Sequence, residues 1–202
     1  MNHNQIFILF ALAFFLITFA ATMVFVRRRG LNPKGVLGGH VCGAIFTFSA
    51  TLLWLVVTLF YIIDTNSVTW FGRIALLDNG VVRGVGIASS SLGMLISILG
   101  EVALGQSFCV ALPKTKTELV TNGIYHYIRN PIVLGTILLV LGTFLIAPSL
   151  LAFLAVAVNI AGYEMKIQAE EDYLRRVHKS DYETYCTRTG RYLPLFRRKE
   201  GK

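Results

Sequence analysis

Five stretches of the chain are continuous apolar runs, not the alternating or one-sided patterns of a soluble fold. Residues 5–26 hold no charge and are closed by Arg27-Arg28-Arg29, and residues 41–63 form a second uncharged run. A helix that crosses a bilayer needs roughly 20 mostly apolar residues, within about 17–25, so both predict membrane spans. The third run, about 82–105, is rich in Gly and Ser and carries Glu101 near its end. The fourth and fifth, 131–147 and 149–163, are short and divided only by Pro148, which predicts a tight helical hairpin. A cleaved secretory signal is not expected at the first run. No Lys or Arg precedes it, and it exceeds the roughly 7–15 apolar residues of a signal core. The pattern predicts an all-α integral membrane protein of about five transmembrane helices. It divides into an N-terminal two-helix segment, 1–81, and a second region, 82–202, with three membrane helices and a further C-terminal helix.

Composition agrees. Of the 202 residues 54% are hydrophobic and 15% charged, against about a quarter charged in soluble domains. Basic residues near helix ends favour the cytoplasmic side. With the N-terminus outside, segments 27–40, 106–130 and 164–202 face the cytoplasm and hold 4, 3 and 10 of the 19 Lys and Arg residues; only Arg73 and Arg83 fall outside. The net charge of +8 is thereby accounted for as a topology determinant, with no nucleic-acid partner. The tail Arg197-Arg198-Lys199 could touch anionic headgroups at about 1 kcal/mol per charge.

Several small motifs carry less. Cys42, Cys109 and Cys186 are scattered and odd in number, showing neither a disulfide framework nor a metal site. His3, His40, His126 and His178 have no ligand spacing, so no metal is expected. Gly39-x-x-x-Gly43 suits close helix packing. Gly84-x-Gly86-x-x-Ser89 lacks the strand that a nucleotide loop requires and reads as small residues on a packing face. Glu101, ionisable and near the membrane, is a functional candidate that could equally reach the interface.

The chemistry lies in the second half, outside the lipid. Asn130-Pro131 marks a helix start, because Asn is a preferred N-cap and Pro is favoured at the first helical position. Such an end is receptive to a carboxylate or phosphate. Tyr125, Tyr127 and Arg129 immediately precede it. Beyond the fifth run come Lys166 and the pair Glu170-Glu171; on a continuing helix Lys166 and Glu170 share a face. Tyr173, Leu174 and Val177 would form an apolar stripe beside them. The short hairpin returns the chain to where it left, so the two polar elements must meet.

The pattern Leu119-Val120-Thr121-x-Gly123-x-Tyr125-x-Tyr127-x-Arg129-x-Pro131, then Glu170-Glu171-x-x-Leu174, Tyr182-x-x-Tyr185 and Leu193-Pro194, resembles the isoprenylcysteine carboxyl methyltransferase family and its prokaryotic relatives. The resemblance covers about residues 103–196, and phospholipid methyltransferases share the general plan. It implies an S-adenosylmethionine site built from the loop and the C-terminal helix. Thr117, Glu118, Leu119, Val120, Tyr125, Asn130, Pro131, Ile132, Val133 and Glu170 would contact that cofactor. Arg129 and Lys166 would act at the substrate. Three positions depart from the family pattern: Asn130 stands for histidine, Val133 for tyrosine and Lys166 for arginine. Lysine keeps the charge but loses the bidentate fork that grips a carboxylate.

The implied reaction is methyl transfer to a lipid-embedded or lipidated small molecule, best an isoprenylcysteine-like carboxylate. A phospholipid amine acceptor, with Glu171 as the nearest base, is the alternative. An NADPH-dependent sterol-type reductase shares a similar arginine-x-proline loop, and a non-catalytic membrane protein is a further reading.

Overall fold

The structure is a computed structural model that describes residues 1–28, 41–104 and 119–195. Gly39, His40, Cys109, Thr117, Glu118 and Arg197-Arg198-Lys199 lie outside these residues. Helices dominate: α1 (His3–Arg28), α2 (Val41–Ile63), the single turn α3 (Ser67–Trp70), α4 (Gly80–Leu104), α5 (Pro131–Ile146), α6 (Leu150–His178) and α7 (Ser180–Arg188). Two 3₁₀ turns, Ala75–Leu77 and Gly123–His126, complete the order, and the strand-like pairings described are isolated bridges. Four of the helices are long and apolar enough to cross a membrane, and α5 is a shorter apolar helix. The protein is an all-α, multi-pass membrane protein, as the five apolar runs predict.

α5 has 16 residues, about 24 Å at 1.5 Å per residue, less than the roughly 30 Å hydrocarbon core. It can be short because it sits inside the bundle, where none of its residues is exposed. Leu12 of α1, Trp54 and Val57 of α2, Val140 and Phe144 of α5, and Ala155 and Val156 of α6 form the main core. Large apolar side chains stand exposed along the other long helices, among them Phe10, Phe48, Leu92 and Phe153. Such a surface is a liability in water and the natural one against lipid.

α4 and α5 make the closest approach. Gly86, Gly93 and Gly100 recur along one stripe of α4 and meet Gly135, Gly142 and the first residues of α5. A Cβ added at Gly86 would lie 2.7 Å from the Gly142 carbonyl oxygen, and one at Gly142 would lie 2.6 Å from the Ser90 nitrogen. Lipid offers no hydrophobic force between helices, so small residues and short polar bonds hold such a pair. The Ser89 and Ser90 hydroxyls accordingly donate to the Leu138 and Leu139 carbonyls at 3.0 and 3.2 Å. The segment Gly84-x-Gly86-x-x-Ser89 is therefore a packing face, although Gly84 itself borders open space.

The two ends of the bundle are laced differently. At one, the loop after α2 pairs with the turn between α5 and α6: Ile74 N–H donates to the Pro148 carbonyl (3.0 Å) and Leu150 N–H to the Gly72 carbonyl (2.9 Å). Asp78 there binds both Arg73 and Arg83. The opposite end gathers the last turn of α4, residues 119–130, the extension of α6, α7 and the closing segment. α6 runs far beyond residue 163. Its 29 residues span about 44 Å, so one helix carries both a membrane span and the paired carboxylates.

Candidate functional site

The site begins with how the 119–130 loop is held. Gly123 takes φ +58°, a left-handed conformation that glycine adopts without a Cβ penalty, and starts the 3₁₀ turn. α7 clamps that turn: the Tyr185 hydroxyl donates to the Tyr125 carbonyl at 2.6 Å, and the Thr189 hydroxyl to the His126 carbonyl at 3.2 Å. The closing segment runs alongside, with Arg129 N–H donating to the Gly190 carbonyl (2.8 Å) and Asn130 N–H to the Arg191 carbonyl (3.2 Å). Residues 60 positions apart in the chain thus make one surface.

Helix α5 starts at Pro131 behind Asn130, as the sequence predicts, but the Asn130 side chain makes no capping bond. Its Nδ2 is buried with no hydrogen-bond partner among the described residues. The amides of the first turn are therefore left without a side-chain cap, and a buried donor lies beside them. Buried donors are normally satisfied, which sets this helix start apart from an ordinary capped one.

The paired carboxylates face different surroundings. Glu171 is 2% exposed and binds Arg191 through both oxygens, at 3.1 and 2.7 Å. Arg129 Nη2 lies at 3.5 Å and Arg175 Nη2 at 3.8 Å. Arg191 also reaches Glu164 at 3.3 Å, and the Tyr192 hydroxyl donates to the same carboxylate. Glu170, by contrast, is exposed and makes no ion pair among the described residues, and so does Lys166. The approach of Arg129 to Glu171 sets the carboxylate pair of α6 at the end of the bundle that carries the 119–130 loop. Burial pushes the Tyr125 phenol above its ordinary range, and Glu170, Tyr185 and Glu101 act in the same direction.

The structure thus brings Tyr125, Asn130, Pro131 and Glu170 to one end of the bundle, with Lys166 one turn nearer the membrane. Ile132 and Val133 follow on the first turn of α5, half-buried like Leu119 and Val120 ahead of the loop. Arg129 is there too, with its guanidinium engaged inside the fold: Nη1 donates to the carbonyls of Cys186 (3.3 Å) and Thr189. Arg191, Glu164 and Tyr192 had no role assigned from sequence. Their one signal is that Glu164 and Glu171 lie seven apart, on one face of α6.

A family model described as phospholipid methyltransferase matches residues 81–181. The chain belongs to this family. The match opens at α4 and includes the loop, α5 and α6; α1 and α2 precede it. Protein-S-isoprenylcysteine O-methyltransferase of Schizosaccharomyces pombe is 32% identical over 108 residues, 52% of this chain and 46% of that protein. The chain therefore spans less than half the length of this relative. For a membrane protein of the phospholipid methyltransferase family, the reductase reading is set aside.

Proposed function

We infer that the protein is an enzyme that transfers a methyl group from S-adenosylmethionine to an amphiphilic acceptor at the cytoplasmic membrane surface. The observation that carries this reading is the start of α5 without a side-chain cap, with the buried Asn130 amide beside it, at the same end of the bundle as the Glu170 carboxylate, which is unpaired among the described residues. A ligand bearing a carboxylate and a cationic group fits that donor and acceptor set. When bound, S-adenosylmethionine supplies an electrophilic methyl group. Asn130 and the first amides of α5 would hold its carboxylate, and Glu170 its ammonium or ribose hydroxyls. Tyr125, Leu119, Val120, Pro131, Ile132 and Val133 would line the site, with Thr117 and Glu118 from the preceding segment. The chain's main contribution is alignment, worth roughly 7–11 kcal/mol when good.

Lys166, exposed one turn before Glu170 on α6, would orient an acceptor carboxylate. Arg129 supports it by fixing the loop against α6 and the closing segment. A carboxylate acceptor needs no proton removed, which suits a site whose second carboxylate, Glu171, is occupied by arginines. An isoprenylcysteine-like carboxylate entering laterally from the bilayer is the preferred acceptor, supported by the fission-yeast relative. A phospholipid amine is the second reading, favoured by the family description. Labelled methyl transfer to S-farnesylated cysteine derivatives, beside phosphatidylethanolamine and a short-chain thiol, separates them. A base-labile ester is expected; transfer to the lipid amine alone would overturn the carboxylate assignment.

A further inference from the structure

Arg191 takes no part in the site as assigned above, yet it joins the two elements that form it. Its guanidinium holds α6 across two turns: Nε and Nη2 donate to the two Glu171 oxygens at 3.1 and 2.7 Å, and Nη1 donates to Glu164 at 3.3 Å. The neighbouring Tyr192 hydroxyl donates to Glu164 as well. The Arg191 backbone carbonyl accepts the Asn130 N–H at 3.2 Å, beside the bond from Arg129 N–H to the Gly190 carbonyl at 2.8 Å. Ile128 and Gly190 form a parallel bridge at the same place. One residue thus ties the carboxylates of α6 to the residue in front of α5.

Asn130 supplies a second observation. An asparagine in front of a helix normally lies in the β region and turns its side-chain oxygen onto the second or third helical amide. Here the backbone stands at φ −124° and ψ 58°, off that region, and no capping bond forms. The Asn130 carbonyl still accepts Leu134 N–H at 3.0 Å, so the helix ladder itself begins normally. Pro131 has no N–H. The Ile132 and Val133 amides, which a cap would take, make no hydrogen bond among the described residues. With the helix fixed, turning ψ toward the capping value swings the Asn130 N–H and side chain together, and Arg191 holds that N–H.

We propose that Arg191 is a positioning residue that keeps the start of α5 uncapped, so that the Ile132 and Val133 amides stay available to an anionic ligand group. This rests on the donor assignment above. Arg191 acts through Asn130, and its own charge is offset by Glu171 and Glu164, so what it contributes to the ligand is geometry. A lysine would keep the charge and lose the fork that spans both carboxylates. With that hold gone, Asn130 turns, its side chain caps its own helix, and the ligand carboxylate has to displace it.

The test is amide hydrogen exchange of the full chain in detergent, read without ligand, beside titration with S-adenosylmethionine. Arg191→Lys should slow exchange at Ile132 and Val133, because a cap then protects them. It should also weaken S-adenosylmethionine about fivefold, the factor by which an asparagine cap competes at a helix start. Leu134, whose amide is already bonded, is the internal reference. Glu164→Ala, which removes the second anchor of Arg191 and that of Tyr192, should act in the same direction and serves where Arg191→Lys fails to fold. Mere loosening of the fold has the opposite sign, with faster exchange at all three amides. Unchanged or faster exchange at Ile132 and Val133, or slowed exchange with undiminished affinity, would overturn the proposal. Failure of S-adenosylmethionine to bind the unsubstituted chain would strike instead at the donor assignment, and the exchange result would still decide the role of Arg191.

Discussion

Glu170 and Glu171 are adjacent in the chain and differ in every contact they make. Glu171 is enclosed by Arg129, Arg175 and Arg191, whereas Glu170 is exposed and unpaired among the described residues. Removing a carboxylate that several guanidiniums share leaves donors without a partner, at about 1.5–3 kcal/mol for each charged hydrogen bond. Glu171→Gln should therefore lower the unfolding midpoint in detergent. Glu170→Gln should leave that midpoint in place and weaken S-adenosylmethionine binding tenfold or more, by the same energy scale. The two effects falling on the opposite residues would reverse these roles. The sequence shows the carboxylate pair, and the helical period places Lys166 with Glu170. It does not show that Arg191, 20 residues after Glu171, closes the inner side. That contact depends on the turn at Lys179, where φ is +47°, and on α7 folding back, neither of which has a periodic signature.

At the scale of helices, the α4–α5 contact makes a sharp expectation. A methyl group at Gly135 would crowd the Gly93 carbonyl and the Ser97 amide and hydroxyl, whereas Gly84 borders open space. Overpacking a tight contact costs typically about 1–3 kcal/mol, so Gly135→Ala should lower the unfolding midpoint. Gly84→Ala should raise it slightly, because alanine favours a helix over glycine by up to about 1 kcal/mol. Equal responses at the two positions would deny the close pairing. The apolar runs and Pro148 make all five long elements legible, since span length and helix breakers act locally. The pairing of α4 with α5, and the release of the Asn130 side chain from its expected cap, depend on neighbours that local pattern does not contain. In the loop before α4, burial would raise the Asp78 carboxyl, but the hydrogen bonds and charges of Arg83 and Arg73 outweigh it and hold the group below its usual range. A folded-state pKa below the unfolded one stabilises at pH above the unfolded value of about 3.9 and is lost as pH falls through the folded value. Asp78→Asn should accordingly be less stable at neutral pH, with the difference narrowing below about pH 4; a difference that stays constant with pH would sink the ion-pair account.

For the whole molecule, the two ends of the bundle differ in charge. The two exceptions to the basic-residue bias, Arg73 and Arg83, both bind Asp78, so the end that carries them presents less positive charge than a bare count gives. The other end carries the 119–130 loop, α7 and the basic residues of α6, together with every proposed cofactor contact among the described residues. A nucleoside donor made in the cytosol has to reach that end. We expect the N-terminus outside and residues 106–130 and 164–202 in the cytoplasm, with α1 and α2 anchoring the catalytic region beside them. Single cysteines at two exposed positions, Asn66 and Ser180, test this in a background with Cys42, Cys109 and Cys186 replaced. A membrane-impermeant maleimide added to intact cells should label the Asn66→Cys protein at once and the Ser180→Cys protein only after the membrane is opened. Ready labelling at position 180 from outside would invert the topology and place the site away from any cytosolic donor.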